Sequence, residues 1–368
     1  AELADVAVIP GVPRARLWGD AVPAGFERWF DVSEAELRRT HAGVFGRPHH
    51  YLSISGGGAD GAFGAGLLCG WTEAGTRPEF TLVSGISTGA LIAPFAFLGP
   101  AYDDKLRELY TSYSTKDLAT KKSMWSVLRG PSFMDTGPMA EKAALYYDAA
   151  VLDAIAEESR KGRALYIGTT NLDAHRPVIW DIGAIARSDA PNRVQLFQDV
   201  LLASAAIPAA FDPVYFEVEA NGQRYQELHV DGGATSQLFL YPIGVDWGRV
   251  LAALEVPGKP TVYTIRNAKL APSYRTVEPR LLAISTHTMS ALMDWAGQGD
   301  LYRTYLSAVR DGLGYRLAYI PESFTHAEAE PFDLEYMRAL FELGRSAASA
   351  GYPWDTAPPG VLTDGTPP

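Results

Sequence analysis

Two segments in immediate succession pass from a strand through a glycine turn straight into a helix, and that arrangement leaves few folds open. His50-Tyr51-Leu52-Ser53-Ile54-Ser55 has strand character and runs into Gly56-Gly57-Gly58-Ala59-Asp60-Gly61. Ala62–Glu73 then reads as a helix ended by Gly75. Phe80–Val83 is a second short apolar strand, broken at Gly85-Ile86-Ser87-Thr88-Gly89, and a helix begins at once with Ala90-Leu91-Ile92. Strands linked through helices must pair in parallel, because an antiparallel neighbour needs only a short turn. The expectation is an α/β fold, three layers α/β/α around a central, mostly parallel sheet.

Further along, Leu165–Thr170, Val178–Asp181, Thr261–Ile265 and Tyr315–Ile320 continue as strands. Val214–Glu219 and Arg224–Val230 flank Asn221-Gly222, the strongest local hairpin signal. Val194–Ala206 is helical and stops at Pro208, while Leu281–Val309 and Leu334–Ser349 are later helices. Ala1–Asp20 reads as an extended arm and Phe26–His41 as one amphipathic helix. With no internal repeat and no clear linker, residues 1–45 form an N-terminal arm and helix and 46–350 a single domain. Residues 351–368 make a Pro/Gly-rich tail expected to fray. Within the domain, 103–161 is an excursion. Met124, Trp125 and Phe133 cluster there, either as core packing or as an apolar cover that touches substrate.

Composition removes other classes. Of 368 residues 47% are hydrophobic, ample for a core, so disorder of the bulk is excluded. The formal net charge of −11 argues against nucleic acid and against a polybasic hold on anionic lipid. A single cysteine, Cys69, rules out an intramolecular disulfide and a cysteine-based zinc cluster. No apolar run reaches the ~18 residues of a transmembrane helix. The chain starts Ala1-Glu2-Leu3 without Met, which suggests a processed start and export or lipid anchoring, in the periplasm, at an outer membrane or outside the cell.

The first glycine turn gathers backbone N–H groups at a helix N-terminus, a nest for an anion. It also fits G-x-G-x-x-G, but a dinucleotide site needs an acidic residue at the end of the next strand, about 20 residues on. Glu79 falls before that strand, which ends in Val83-Ser84-Gly85. Gly85-x-Ser87-x-Gly89 has the form of a nucleophile elbow, a weak signal alone in a chain with 35 glycines, where the serine could simply cap a helix. Its context is stronger: a strand before it, a helix after it, and an N–H nest one unit earlier, the pairing that acyl transfer requires. Of the histidines only His287 and His326 follow in an order that would suit a serine triad, and neither ends a strand. Asp231 does, and Gly232-Gly233 keep side chains away from its carboxylate. A strand-end Asp-Gly is also an ordinary turn.

Together, Gly56-Gly57-Gly58-x-x-Gly61, Gly85-x-Ser87-x-Gly89 and Asp231-Gly232-Gly233 resemble the patatin-like phospholipase family. So do Ser204–Phe211, Gly168–Asp173 and Pro177–Asp181, and the likeness covers roughly Tyr51–Gln237. It implies a Ser87–Asp231 dyad, an oxyanion hole from Gly56, Gly57, Gly58 and Ala59, elbow glycines Gly85 and Gly89, no metal and no organic cofactor. It further implies an ester or acyl-lipid substrate and transient contact with a membrane or micelle. Asp60 departs from the basic residue the family often has there, which bears on anionic headgroups. The alternatives are a histidine triad through His287 or His326, and a non-catalytic lipid- or nucleotide-binding protein.

Overall fold

The computed structural model describes residues 3–123, 130–271, 274 and 276–361. Its strands are, in chain order, β1 (Arg16–Trp18), β2 (His50–Ile54), β3 (Leu82–Ile86), β4 (Thr120–Lys121), β5 (Met134–Asp135) and β6 (Ala164–Asn171). They continue as β7 (Arg176–Asp181), β8 (Val214–Ala220), β9 (Gln223–Asp231), β10 (Thr261–Arg266) and β11 (Gly314–Tyr319). Nine of these form one sheet in the order β1-β7-β6-β3-β2-β10-β11, with the β8–β9 hairpin joined to β6. β6, β3, β2, β10 and β11 run parallel. β7 and β9 are antiparallel to β6, and β1 is antiparallel to β7.

Strand alternation sorts the core into two faces. Leu52, Ile54, Val83 and Ile265 point into the larger apolar cluster, shared with the helices Gly61–Glu73, Thr88–Leu98 and Leu334–Ser349. Tyr51, Leu82 and Val262 point the other way, onto Leu301 and Ala308 of the long helix Leu281–Arg310. Helices on both faces of a mostly parallel sheet make the three-layer α/β/α architecture expected from the two opening units. The helices Gly61–Glu73 and Leu334–Ser349 meet backbone to backbone, since a Cβ at Gly66 would stand 2.0 Å from the Phe341 carbonyl oxygen.

Three segments differ from the sequence reading. Phe26–His41 is not one helix: a 3-10 turn covers Phe26–Asp31, Val32 is extended, and Ser33 caps a separate helix, Glu34–Thr40, by accepting from the Glu36 N–H. The break lets Phe26, Trp29 and Phe30 pack toward Val250 and Leu254. The N-terminal segment is not an extended arm: turns separate short bridges at Val8, Ile9 and Val12, and only Arg16–Trp18 is a strand, β1, at the sheet edge. The tail is anchored at its start, where Asp355 bridges to Leu317 and the Trp354 ring lies 4.8 Å from that of Trp71. Among the described residues no helix is long and apolar enough to cross a membrane.

Candidate active site

The C-terminal ends of β2 and β3 carry the two glycine turns side by side. Ser87 follows β3 with φ 55° and ψ −124°, a left-handed conformation that a side-chain-bearing residue adopts only at a cost of order 1–3 kcal/mol. The surroundings enforce it. A Cβ on Gly89 would lie 2.3 Å from the Ile54 carbonyl oxygen, and one on Gly85 2.2 Å from that of Gly89, so the elbow closes only with glycine at both places. The Ser87 N–H donates to Ser204 Oγ at 3.0 Å, and that hydroxyl donates to the Gly168 carbonyl at 2.6 Å. Ser204 ends the helix Arg193–Ser204 and thereby ties the elbow to β6.

Asp231 ends β9, opposite Thr169 of β6, and is fully buried. Its N–H donates to the Ala206 carbonyl at 2.9 Å. Oδ1 accepts from the Gly233 N–H at 2.7 Å, while among the described residues no donor meets hydrogen-bonding geometry at the buried Oδ2. Burial pushes the carboxyl up to about 7, partly offset by the Ser87 hydroxyl and the Gly233 N–H. The Ser87 hydroxyl thus acts on the carboxyl from close by, with Oδ1 fixed by the Gly233 N–H and Oδ2 buried.

The glycine turn after β2 lies against the serine: a Cβ on Gly56 would fall 3.2 Å from Ser87 Cβ. The Gly56 N–H points to the Gln237 carbonyl at 3.4 Å, whereas among the described residues no acceptor takes up the N–H of Gly57 or Gly58. Gly58, with φ 57°, begins the 3-10 turn Gly58–Asp60 that leads into the helix Gly61–Glu73, and Ala59 is buried within it. Asp60 accepts a hydrogen bond from the Tyr336 hydroxyl at 2.5 Å, so its carboxylate ties the turn to the helix Leu334–Ser349.

Two supporting residues escaped the sequence reading. Gln237 is buried between the turns: a Cβ on Gly56 would lie 2.3 Å from its Oε1 and one on Gly233 2.4 Å from its Nε2. Its N–H donates to the buried Asp300 carboxylate at 2.6 Å. Asn267, just beyond β10, donates through Nδ2 to the Ser55 carbonyl at 2.9 Å and accepts from the Gly64 N–H at 3.1 Å. Asn267 reaches the site from the neighbouring β10, and Gln237, just beyond the Asp231 turn, is held there by Gly56 and Asp300, which lie far away in the chain.

Among the described residues no histidine hydrogen-bonds to Ser87 or Asp231. His326 lies against Phe324 and Tyr336 with ring centroids 6.2 and 6.3 Å away, and His287 is half-buried on the long helix. No group of three or more His, Cys, Asp or Glu side chains is arranged to hold a metal ion among those residues. Met124 and Trp125 lie outside the described residues. Phe133 is half-buried, and its N–H donates to the Ala209 carbonyl at 2.9 Å, which ties this excursion to the segment between the helix Arg193–Ser204 and β8.

One end of the mostly parallel sheet thus carries a strained serine turn, a glycine-rich neighbour turn and a buried carboxyl. A family model for patatin-like phospholipases matches residues 52–242, more than half of the 368 residues, and the chain belongs to the patatin-like phospholipase family, whose members are lipid acyl hydrolases. Among solved structures it is similar to VipD from Legionella pneumophila, at 14% identity and a TM-score of 0.39 over 82% of this chain and 66% of that one. No curated protein matches the sequence at a significant level.

Proposed function

We propose that this chain hydrolyses carboxylic esters of acyl lipids through an acyl-Ser87 intermediate, with Asp231 as the base. The observation that carries the reading is the pairing of the strained Ser87 with a fully buried Asp231, at whose Oδ2 no donor among the described residues meets hydrogen-bonding geometry. A carboxylate with an ordinary pKa is a poor base for a serine hydroxyl, and burial makes this one stronger.

As Ser87 Oγ attacks the ester carbonyl, its proton passes to Asp231 Oδ2 while the Gly233 N–H holds Oδ1 in place. The oxyanion is held by the free N–H groups of Gly57 and Gly58, at the positive end of the helix Gly61–Glu73. Asp231 returns the proton to the departing alcohol, leaving an acyl-Ser87. Water then loses a proton to the same carboxylate and attacks the acyl carbonyl, and as the bond to Oγ breaks Asp231 returns that proton to Ser87 and the fatty acid leaves. The absence of histidine contacts to either group, among the described residues, favours this dyad over a triad.

The test is release of fatty acid from phospholipid, glyceride and short soluble esters by the wild-type, Ser87→Ala and Asp231→Asn chains. Both variants are expected to lose on the order of a thousand-fold or more in kcat. Undiminished hydrolysis by either one overturns the assignment.

A further inference from the structure

The long helix Leu281–Arg310 is built in two halves. Its second half packs on the sheet, with Asp300, Leu301 and Ala308 all at 1% exposure or less. Its first half is open to solvent and uncharged up to Asp294, with Ser285, Thr286, Thr288 and Ser290 between exposed apolar side chains. Leu281 is 84% exposed, Leu292 63% and Trp295 68%, and Ile284 is exposed as well. At 100° per residue these four fall on one face, opposite the buried Leu301 and Ala308. The approach to the helix adds Tyr274, which is 94% exposed.

Charge singles the face out further. No Asp, Glu, Lys or Arg stands between Arg280 and Asp294, in a chain whose net charge is −11. Other long uncharged runs, such as Phe80–Tyr102, are core segments. The inward side of the same half-helix reaches the candidate active site: a Cβ on Gly233 would lie 2.7 Å from Met293 Cε, so Met293 covers the turn that follows Asp231. One stretch of helix therefore has the site on its inner side and an uncharged apolar stripe on its outer side.

We propose that this outer stripe docks the protein on the surface of a neutral or zwitterionic lipid aggregate and presents the Ser87 site to it. The proposal rests on the lipid-ester reading above. A lipid surface fits because it offers acyl material over a broad front without demanding a charge partner, and because substrate must arrive beside Met293. Leucine, isoleucine and tryptophan side chains are suited to the boundary between headgroups and acyl chains. The strongly acidic remainder of the chain disfavours an anionic surface.

The experiment uses the Ser87→Ala chain, which leaves vesicles intact, floated with phosphatidylcholine vesicles. The parent is expected to co-float, and Leu292→Asp/Trp295→Asp in the same background to lose at least about tenfold in partitioning. Trp295→Phe keeps an apolar ring and is expected to retain flotation while losing the quenching by bromine-labelled acyl chains that the parent shows. In the active chain, Leu292→Asp/Trp295→Asp should slow vesicle hydrolysis by a similar factor and leave turnover of a monomeric short-chain ester unchanged. Wild-type-like flotation of the double variant overturns the proposal, as does an equal fall in both activities. So does a dimer, seen by sedimentation, that the double variant dissociates in a chain that never floats. Flotation without hydrolysis of any ester would overturn the hydrolase reading and leave docking standing. Hydrolysis of soluble esters without flotation would do the reverse.

Discussion

Asp231 carries a conflict between fold and solvent. Buried and facing no cation among the described residues, its carboxyl is pushed from 3.8 to about 7. A raised folded-state pKa means that the fold favours the neutral acid. The contribution to stability is therefore greatest below about pH 4 and is lost as pH rises through about 7. Asp231→Asn removes that conflict, so its melting temperature is expected to exceed the wild type's by a margin that widens between pH 5 and pH 8. The margin at pH 8 should correspond to a few kcal/mol. Calorimetry at the two pH values checks this, and an equal offset at both would contradict it. Stability traded for basicity is what the proposed role of Asp231 as base requires. The same residue shows what a sequence displays: Asp231 is legible because it ends a strand before two glycines. Gln237 and Asn267 are not, because their partners lie far away in the chain.

Among the elements, the elbow depends on a side chain's absence. Gly89→Ala would place a methyl group 2.3 Å from a backbone oxygen of β2 and force two elements apart. It is expected to lower stability by about 1–3 kcal/mol or more and to abolish reaction at Ser87. Gly299→Ala is the counterpart: a Cβ there meets nothing within 4 Å, and helix propensity predicts a gain of up to about 1 kcal/mol. Urea unfolding of the pair measures both signs. The two glycine turns and the parallel sheet were legible because each unit is local, a strand, a turn and a helix start within a few residues. The Phe26–His41 break was not, because the apolar spacing continues through it and only the Ser33 cap and distant packing against Val250 and Leu254 decide it. The same holds for Tyr352–Asp355, where a Pro/Gly-rich composition suggests fraying and the aromatic contacts with Trp71 and Tyr263 prevent it.

At the scale of the whole molecule, the net charge of −11 and the uncharged stripe beside the site act together on the choice of surface. Hydrolysis of mixed vesicles is expected to fall as anionic phosphatidylglycerol replaces phosphatidylcholine. Salt should restore part of the rate, because screening shortens the repulsion to about 8 Å at physiological ionic strength. A rate that rises with anionic lipid would contradict this. The central claim, a serine activated by a buried carboxylate, is tested most directly by the rate at which a fluorophosphonate labels Ser87, with the adduct located by peptide mass mapping across pH. The account predicts an adduct at Ser87 whose rate of formation falls about tenfold per unit below about pH 7, as Asp231 protonates. His287→Ala and His326→Ala should label like the wild type, and Asp231→Asn on the order of a thousand-fold more slowly. Labelling of Ser87 at the wild-type rate in Asp231→Asn, or no adduct at Ser87 in the folded chain, would contradict it.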